Sequence, residues 1–370
     1  MQMTWSERPQ LRDADLQACR ALLRGGSRSF YAASFLLPVT VREPASALYA
    51  FCRIADDVID EAGGDAHAVA DLKARIEAAY RGEPRSIAYD RAFAATVERF
   101  AIPQSLPEAL IEGFAWDVAQ RRYQTLDDLL GYAARVAGTV GAMMCLLMGR
   151  RDAQTLARAT DLGMAMQLTN IARDVGEDAR AGRLYLPLDW CREEALDVDA
   201  WMANPVFCPE VARCVARLLE AADGLYVRGY RGIFELPRDC QRGIRAAGLL
   251  YANIGHEVAR RGFDSVTSRA VVSGRRKLAI LTSALGTART FDSPASSAVH
   301  DASRFLIDAV VLSPAPLVSP QPGKAFRWWK LHAHGIRIID LLETLERRQR
   351  QASARPVQTI NRYAGEVPGS

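Results

Sequence analysis

Four aspartates stand in two pairs, Asp56 with Asp60 and Asp174 with Asp178, the members of each pair four residues apart. On a helix that spacing stacks both carboxylates on one face. Like charges placed so repel. Two such pairs in apolar surroundings therefore call for something positive between them, most simply a divalent metal. One DxxxD alone would read as a solvated helix face; two, each with further polar residues in register, read as a site.

The second pair extends into a longer stripe. Gln167, Asn170, Asp174 and Asp178 fall at i, i+3, i+7 and i+11, flanked by Met164, Leu168, Ile171 and Val175. Oxygen ligands bordered by apolar residues suit a hard cation such as Mg2+, which binds through one or two carboxylates plus substrate phosphates. The first pair repeats the pattern with Tyr49, Arg53, Asp56 and Asp60, again at i, i+4, i+7 and i+11. Arg53 reads either as a helix-surface ion pair or as a fork for phosphate oxygens beside the metal. Asp57 and Glu61 lie off this stripe and are read as solvated.

Positioning such stripes requires helices, and helical periodicity runs along nearly the whole chain while period-two strands are absent. The fold class is all-α. Helices are expected at about 13–24, 28–37, 40–62, 66–81, 88–100, 105–121, 126–149, 153–179, 208–231, 238–261 and 267–289, separated by breakers such as Gly25-Gly26, Pro38, Pro84, Pro103, Gly149, Pro187, Pro237 and Gly262. No internal repeat is visible. The 370 residues are 49% hydrophobic and 24% charged with net charge +4, an ordinary globular composition that leaves nucleic acid a poor partner and anionic substrates or a membrane surface open. Seven cysteines without a CxxC pair argue against a disulfide framework or a zinc site, and for reduced thiols in the cytoplasm. Neither a signal segment nor an 18-residue apolar run is found, so no membrane span is expected.

These segments together resemble a known family. Tyr132 through Gly141, YAARVAGTVG, is similar to one signature of the phytoene and squalene synthases, the head-to-head prenyl diphosphate synthases; Leu162-Gly163 through Gln167, Asn170, Arg173-Asp174, Asp178, Arg183, Tyr185 and Pro187 is similar to the other. SRSFYAASFLLP near the start and GFAWDVAQRRY around Asp117 resemble the family as well, and the likeness covers about residues 15 to 285. The resemblance implies an isoprenoid-synthase fold, one antiparallel helical bundle around a deep cavity with the two acidic motifs at its mouth. By position it implies that Asp56, Asp60, Asp174 and Asp178, assisted by Asn170, bind Mg2+ (or Mn2+), and that Ser27, Tyr49, Arg53, Gln167, Arg173 and Tyr251 contact diphosphate, with Arg183, Tyr185 and Arg269 as further members. Val136 to Gly141, whose small residues alone would mean close helix packing, is implied to be a bend lining the cavity. Tyr251 alone would read as core.

Substrate length should follow cavity depth. Phe30 and Ser34 share register with Ser27, and Ser46 precedes Tyr49 by three, so Ser34 and Ser46 are expected to line the pocket below the diphosphates. In the family's C15-using, dehydrosqualene-forming branch the matching positions tend to be bulky aromatics; small residues here favour the C20 substrate, geranylgeranyl diphosphate, condensed to phytoene. A squalene synthase would also need NADPH, for which no glycine-rich fingerprint is found; C15-using dehydrosqualene, hydroxysqualene or squalene synthesis stands as the alternative. The synthase domain is placed at 1–290. Residues 291–370 read as a Ser/Pro/Ala-rich linker and an amphipathic, basic-ended helix whose face of Trp328, Trp329, Leu331, Ile338, Leu342 and Leu345 would either pack on the core or contact the inner face of the membrane peripherally.

Overall fold

The computed structural model describes residues 11–61, 66–285 and 298–314, with Arg28, Asp60, Glu61, Ala66 and Leu285 described by backbone alone. The expected tail helix lies outside the described residues. Among them every regular element is helical, as the periodicity required. The first half runs α1 (Asp13–Gly26), α2 (Arg28–Ser34), α3 (Val39–Glu61), α4 (Ala66–Tyr80), α5 (Ala88–Arg99), α6 (Ser105–Val118), α7 (Leu126–Ala133), a π-helical turn (Ala134–Gly138) and α8 (Thr139–Leu147). The second runs α9 (Ala153–Arg180), α10 (Leu188–Glu193), α11 (Val198–Ala203), α12 (Pro209–Gly232), α13 (Arg238–Arg260), α14 (Gly274–Leu285) and α15 (Arg304–Val311).

The long helix α9 is the axis of the bundle. It starts where the Asp152 carboxylate caps the Thr155 amide at 2.9 Å, and it ends before Gly182, whose φ of +79° favours glycine. Its apolar face, including Leu156, Met164, Leu168, Ile171 and Val175, is buried against α8, α12 and α13. Two glycines set how closely α9 meets the preceding strand of helix. A Cβ on Gly141 would lie 2.3 Å from the Ala159 carbonyl oxygen, and one on Gly163 the same distance from that of Ala137. Gly141 is therefore a helix-packing residue and does not line the cavity, which corrects half of the expectation for the Val136 to Gly141 segment. The stretch Leu126–Leu147 is apolar and long enough to cross a bilayer, yet most of it is buried inside the bundle, between α6 and α9.

Ion pairs tie the N-terminal helices to the bundle. Arg75 on α4 grips Asp90 on α5 with both partners buried, and Arg91 on α5 reaches back to Asp15 on α1. Buried charges are tolerated only when paired this way. All seven cysteines are free thiols.

Three segments depart from the periodicity reading. Residues 267–273 are not helical: the Asp264 carboxylate accepts the Val266 and Thr267 amides at 3.1 and 2.9 Å, and Ala270 and Val272 are buried while Val271 is exposed, an extended alternation. This loop is docked on α9, with the Gly176 amide donating to Ser265 and Arg180 to the Val266 carbonyl. The short helices α10 and α11 fall where none was expected. Residues 298–314, expected as part of a linker, contain α15, whose Leu306, Ile307 and Val310 are buried on the bundle; the Ser- and Pro-rich flanks hid eight helical residues.

The glycine contacts make a testable contrast. Gly141→Ala is expected to destabilise the protein by about 2 kcal/mol or more, because the methyl group meets backbone that cannot rotate away. Gly224 in α12 has nothing within 4 Å of a built Cβ, so Gly224→Ala is expected to stabilise by about 0.5–1 kcal/mol through helix propensity. Urea midpoints at unchanged slope read both; equal effects would show that the α8–α9 approach is not tight.

Candidate active site

A cavity of about 730 Å3 opens between α3, α6, α9 and α13. Its lining joins charged and polar groups to an apolar wall. Both acidic stripes reach it: Tyr49, Arg53 and Asp56 from α3, and Gln167, Asn170, Arg173, Asp174 and Asp178 from α9, all line the same space. Asp60 sits on α3 one turn beyond Asp56, but its side chain lies outside the described residues. Ser27, Phe30, Val136, Arg183, Tyr185, Tyr251 and Arg269 are lining residues too.

Local chemistry fixes how each arrives. Ser27 links α1 to α2, and its hydroxyl accepts the Phe30 amide at 3.3 Å. Phe30 then stacks on Tyr251 of α13, ring centroids 4.9 Å apart, and meets Tyr49 edge-on at 6.4 Å. Gly26 leaves room for them, since a Cβ there would lie 2.3 Å from the Tyr49 hydroxyl and the phenol would have to shift. Burial pushes the Tyr49 phenol up to about 12, so it remains a hydrogen-bond donor at neutral pH.

The acids are held by guanidinium groups. Arg53 bridges Asp56 at 3.2 Å and Asp57 at 2.5 Å; Asp57 is thus ion-paired, where the sequence reading left it solvated. Asp174 is gripped from two sides, by its neighbour Arg173 (2.7 Å from Nε) and by Arg269 (2.8 Å from Nε, 3.0 Å from Nη2). Arg269 arrives on the extended loop packed over Gly176, where a Cβ would come within 2.6 Å of Val266. Asp178, one turn farther along α9, has its carboxyl pushed up to about 7 by burial first and by the charge of Asp174 second.

Two expected lining residues are displaced. Ser34 and Ser46 are buried and donate their hydroxyls to carbonyls of their own helices, Ser34 to Tyr31 at 2.7 Å and Ser46 to Arg42 at 2.9 Å. Neither reaches the cavity surface. The helical register was right, but a short hydroxyl satisfied by its own backbone stays against the helix. The apolar wall is built instead by Leu110 and Phe114 of α6, Val136 of the π turn, Ile171 of α9 and Ile254 of α13.

Spacing assigned nothing to Asp117, Tyr132 or Lys277, which also line the cavity. Asp117 accepts the hydroxyls of Tyr132 at 2.9 Å and Tyr185 at 2.7 Å. Burial raises its carboxyl from 3.8 to about 6 against those two hydrogen bonds, which lower it. Its helix also carries Glu108 and Glu112, but neither stands four residues from Asp117, so no i, i+4 pair of acids marked it; the apolar run around it, GFAWDV, was the available signal.

The donors suit a hard divalent cation. Asn170 Oδ1 is buried without a hydrogen-bond partner among the described residues while its residue lines the cavity, and the carboxylates of Asp56, Asp174 and Asp178 line the same space. Among the described residues no three acids, histidines or cysteines converge to hold a metal unaided. A hard cation such as Mg2+ takes one or two carboxylates from a protein and completes its shell from a phosphorylated ligand. The arginines and Lys277 on the same lining are groups whose charge and donors suit an anion.

A family model described as Squalene/phytoene synthase matches residues 23–276. The phytoene synthase of Cereibacter sphaeroides is 48% identical over 351 residues, 92% of this chain and 96% of that one. That of Rhodobacter capsulatus is 53% identical over 292 residues, 78% and 86% respectively. Among solved structures, a dehydrosqualene synthase in complex with ligand superposes with TM-score 0.67 at 27% identity, covering 73% of this chain and 95% of that one. A squalene synthase from Alicyclobacillus acidocaldarius gives 0.61 at 25%, covering 68% and 95%. The isoprenoid-synthase fold is the fold of this chain.

The raised carboxyl of Asp117 gives a pH prediction. The folded protein keeps a proton there that the unfolded chain has already lost, so stability falls as pH rises from the ordinary carboxylate range through about 6. Asp117→Asn, which keeps an acceptor for the tyrosine hydroxyls, is expected to remove that part of the fall, roughly 2–3 kcal/mol. Asp178, raised to about 7, keeps a slope in the variant. Thermal midpoints on either side of this window are the measurement, and identical pH profiles for variant and parent would show Asp117 to be unperturbed.

Proposed function

The chain belongs to the squalene/phytoene synthase family, and from that membership we propose that it is a prenyltransferase that condenses two geranylgeranyl diphosphates head to head, through a cyclopropylcarbinyl diphosphate, to phytoene for carotenoid biosynthesis. The observation that carries the reading is a single cavity in which α3 and α9 present acids, an amide oxygen and guanidinium groups at the mouth over an apolar wall. The C20 choice draws on the relatives named phytoene synthase, since Ser34 and Ser46 do not line the cavity.

Arg53, Arg173 and Arg269 bind diphosphate oxygens by exchanging their carboxylate partners for phosphate, a swap between two charge-assisted hydrogen bonds. Asp56, Asp60, Asp174, Asp178 and Asn170 would hold Mg2+, or Mn2+, which when bound neutralises the diphosphate and makes it a leaving group. Tyr49, half-buried, and Tyr251, buried, keep their protons beside these arginines and orient the same anion as hydrogen-bond donors. Below them Leu110, Phe114, Val136, Ile171 and Ile254 exclude water, which would quench the allylic cation before the second substrate's double bond attacks it. The reading includes no nicotinamide. It places the enzyme in the cytoplasm, with peripheral contact at the inner face of the membrane as the way out for a hydrocarbon product.

The test supplies purified protein with C15 and C20 diphosphates separately, with Mg2+, with and without NADPH, and identifies the hydrocarbons by mass. Phytoene from the C20 substrate without NADPH is expected; a preference for C15, or a requirement for NADPH, overturns the assignment. Asp56→Ala and Asp174→Ala are expected to lower turnover by about 10³-fold or more with helical content intact. Substantial activity in either variant would remove the cation-binding role.

A further inference from the structure

Residues 298–314 lie outside the stretch matched by the family model, and none of them lines the cavity. They are nevertheless fastened at both ends. The Ala298 carbonyl accepts from Arg158 at 3.0 Å and from Arg228 at 2.8 Å, two arginines that share the buried Asp161 carboxylate. At the far end Arg151 donates to the Ser313 hydroxyl at 2.7 Å while also reaching the Ala101 carbonyl at 3.2 Å.

Between these anchors α15 presses on the outside of the π turn. The Phe305 ring lies 4.8 Å from the Arg135 guanidinium, which is also 4.3 Å from Trp116. A Cβ built on Gly138 would lie 3.5 Å from Leu306 Cδ1. Arg135 and Gly138 flank Val136, which lines the cavity, so one short turn has the strap on its back and the cavity on its front. A π turn is the less stable alternative to α-helix and persists where its surroundings impose it. Reverting to α geometry would shift the register by one residue and turn Val136 about 100° from its present direction.

We infer that residues 298–314 are a positioning strap that holds the π turn in register and thereby sets which prenyl chain length the cavity accepts. This rests on the cavity being the prenyl diphosphate site proposed above. Phe305 and Leu306 act through Arg135, Gly138 and Val136, and touch no substrate.

Leu306→Ala opens a gap behind Gly138. The variant is expected to change the ratio of kcat/KM for the C20 over the C15 diphosphate by about tenfold, in line with the weak discrimination an apolar wall gives per methylene. Its inhibition by inorganic pyrophosphate, which reads the polar mouth, is expected to stay as in the parent. Adding Gly138→Ala, whose methyl group points into the gap, is expected to restore the ratio. Phe305→Ala, at a ring 38% exposed, tests the same idea without emptying the core and decides it if Leu306→Ala does not fold. Hydrogen exchange at residues 134–139 supplies a readout without turnover and is expected to quicken in each folded variant. An unchanged ratio in folded variants, or proportional loss on both substrates, overturns the strap. Should the parent condense neither substrate, the proposed function fails, and unchanged exchange at the π turn would overturn the strap independently.

Discussion

Carboxylates gathered into one partly buried cavity must be neutralised, and much of this structure follows from how that is done. Ionised acids taken out of water are costly unless paired. Here Asp56 is paired by Arg53, and Asp174 by Arg173 and Arg269; Asp117 and Asp178, for which burial outweighs the favourable partners, are shifted toward the protonated form. Asp56 and Asp174 are balanced by guanidinium groups, whose geometry suits phosphate as well as carboxylate. A diphosphate arriving with a divalent cation would satisfy both halves at once: arginines turn to phosphate as the carboxylates they release turn to metal. The protein's own ion pairs thus hold open the places that the proposed substrate and cation would take.

Bringing those partners together depends on unusually close backbone contacts along α9. Its stripe of Gln167, Asn170, Asp174 and Asp178 occupies the C-terminal half, and Gly176, on another face of the same turn, lets the 264–273 loop lie flat enough to deliver Arg269 to Asp174. Farther toward its N-terminus Gly163 meets the π turn and Gly141 meets α9 in return, which seats the turn carrying Val136 against the cavity. Substituting any of these glycines would move a charged partner or a wall residue before it altered the fold.

The helices and both acidic stripes were legible because each depends on a short-range period. Apolar spacing of three and four defines α1 to α9 nearly to their ends, and acids at i and i+4 on two segments announce a site before any contact is known. What escaped had no period to betray it. Asp117 has no acid four residues away on α6, and its place in the site comes from Tyr132 and Tyr185, which approach from other elements. The loop over 267–273 looked helical by composition, yet its apolar residues are buried alternately. Eight residues of α15 sit inside a stretch whose average composition is that of a linker.

Ser34 and Ser46 show why chain length is harder to read than chemistry. Register placed them correctly on their helices, but each hydroxyl turns back to its own backbone, and the wall is made by residues from α6, the π turn, α9 and α13. A metal ligand must carry an oxygen at one place, so its identity survives in the sequence as a letter. Cavity depth is the sum of several apolar side chains whose positions are set by what packs behind them. Since an apolar wall separates substrates by only about one to three kcal/mol per methylene, small shifts of that wall matter, and they are controlled from segments with no motif of their own. On the proposed function, specificity in this chain is written in packing between distant elements, whereas reactivity is written in the two stripes.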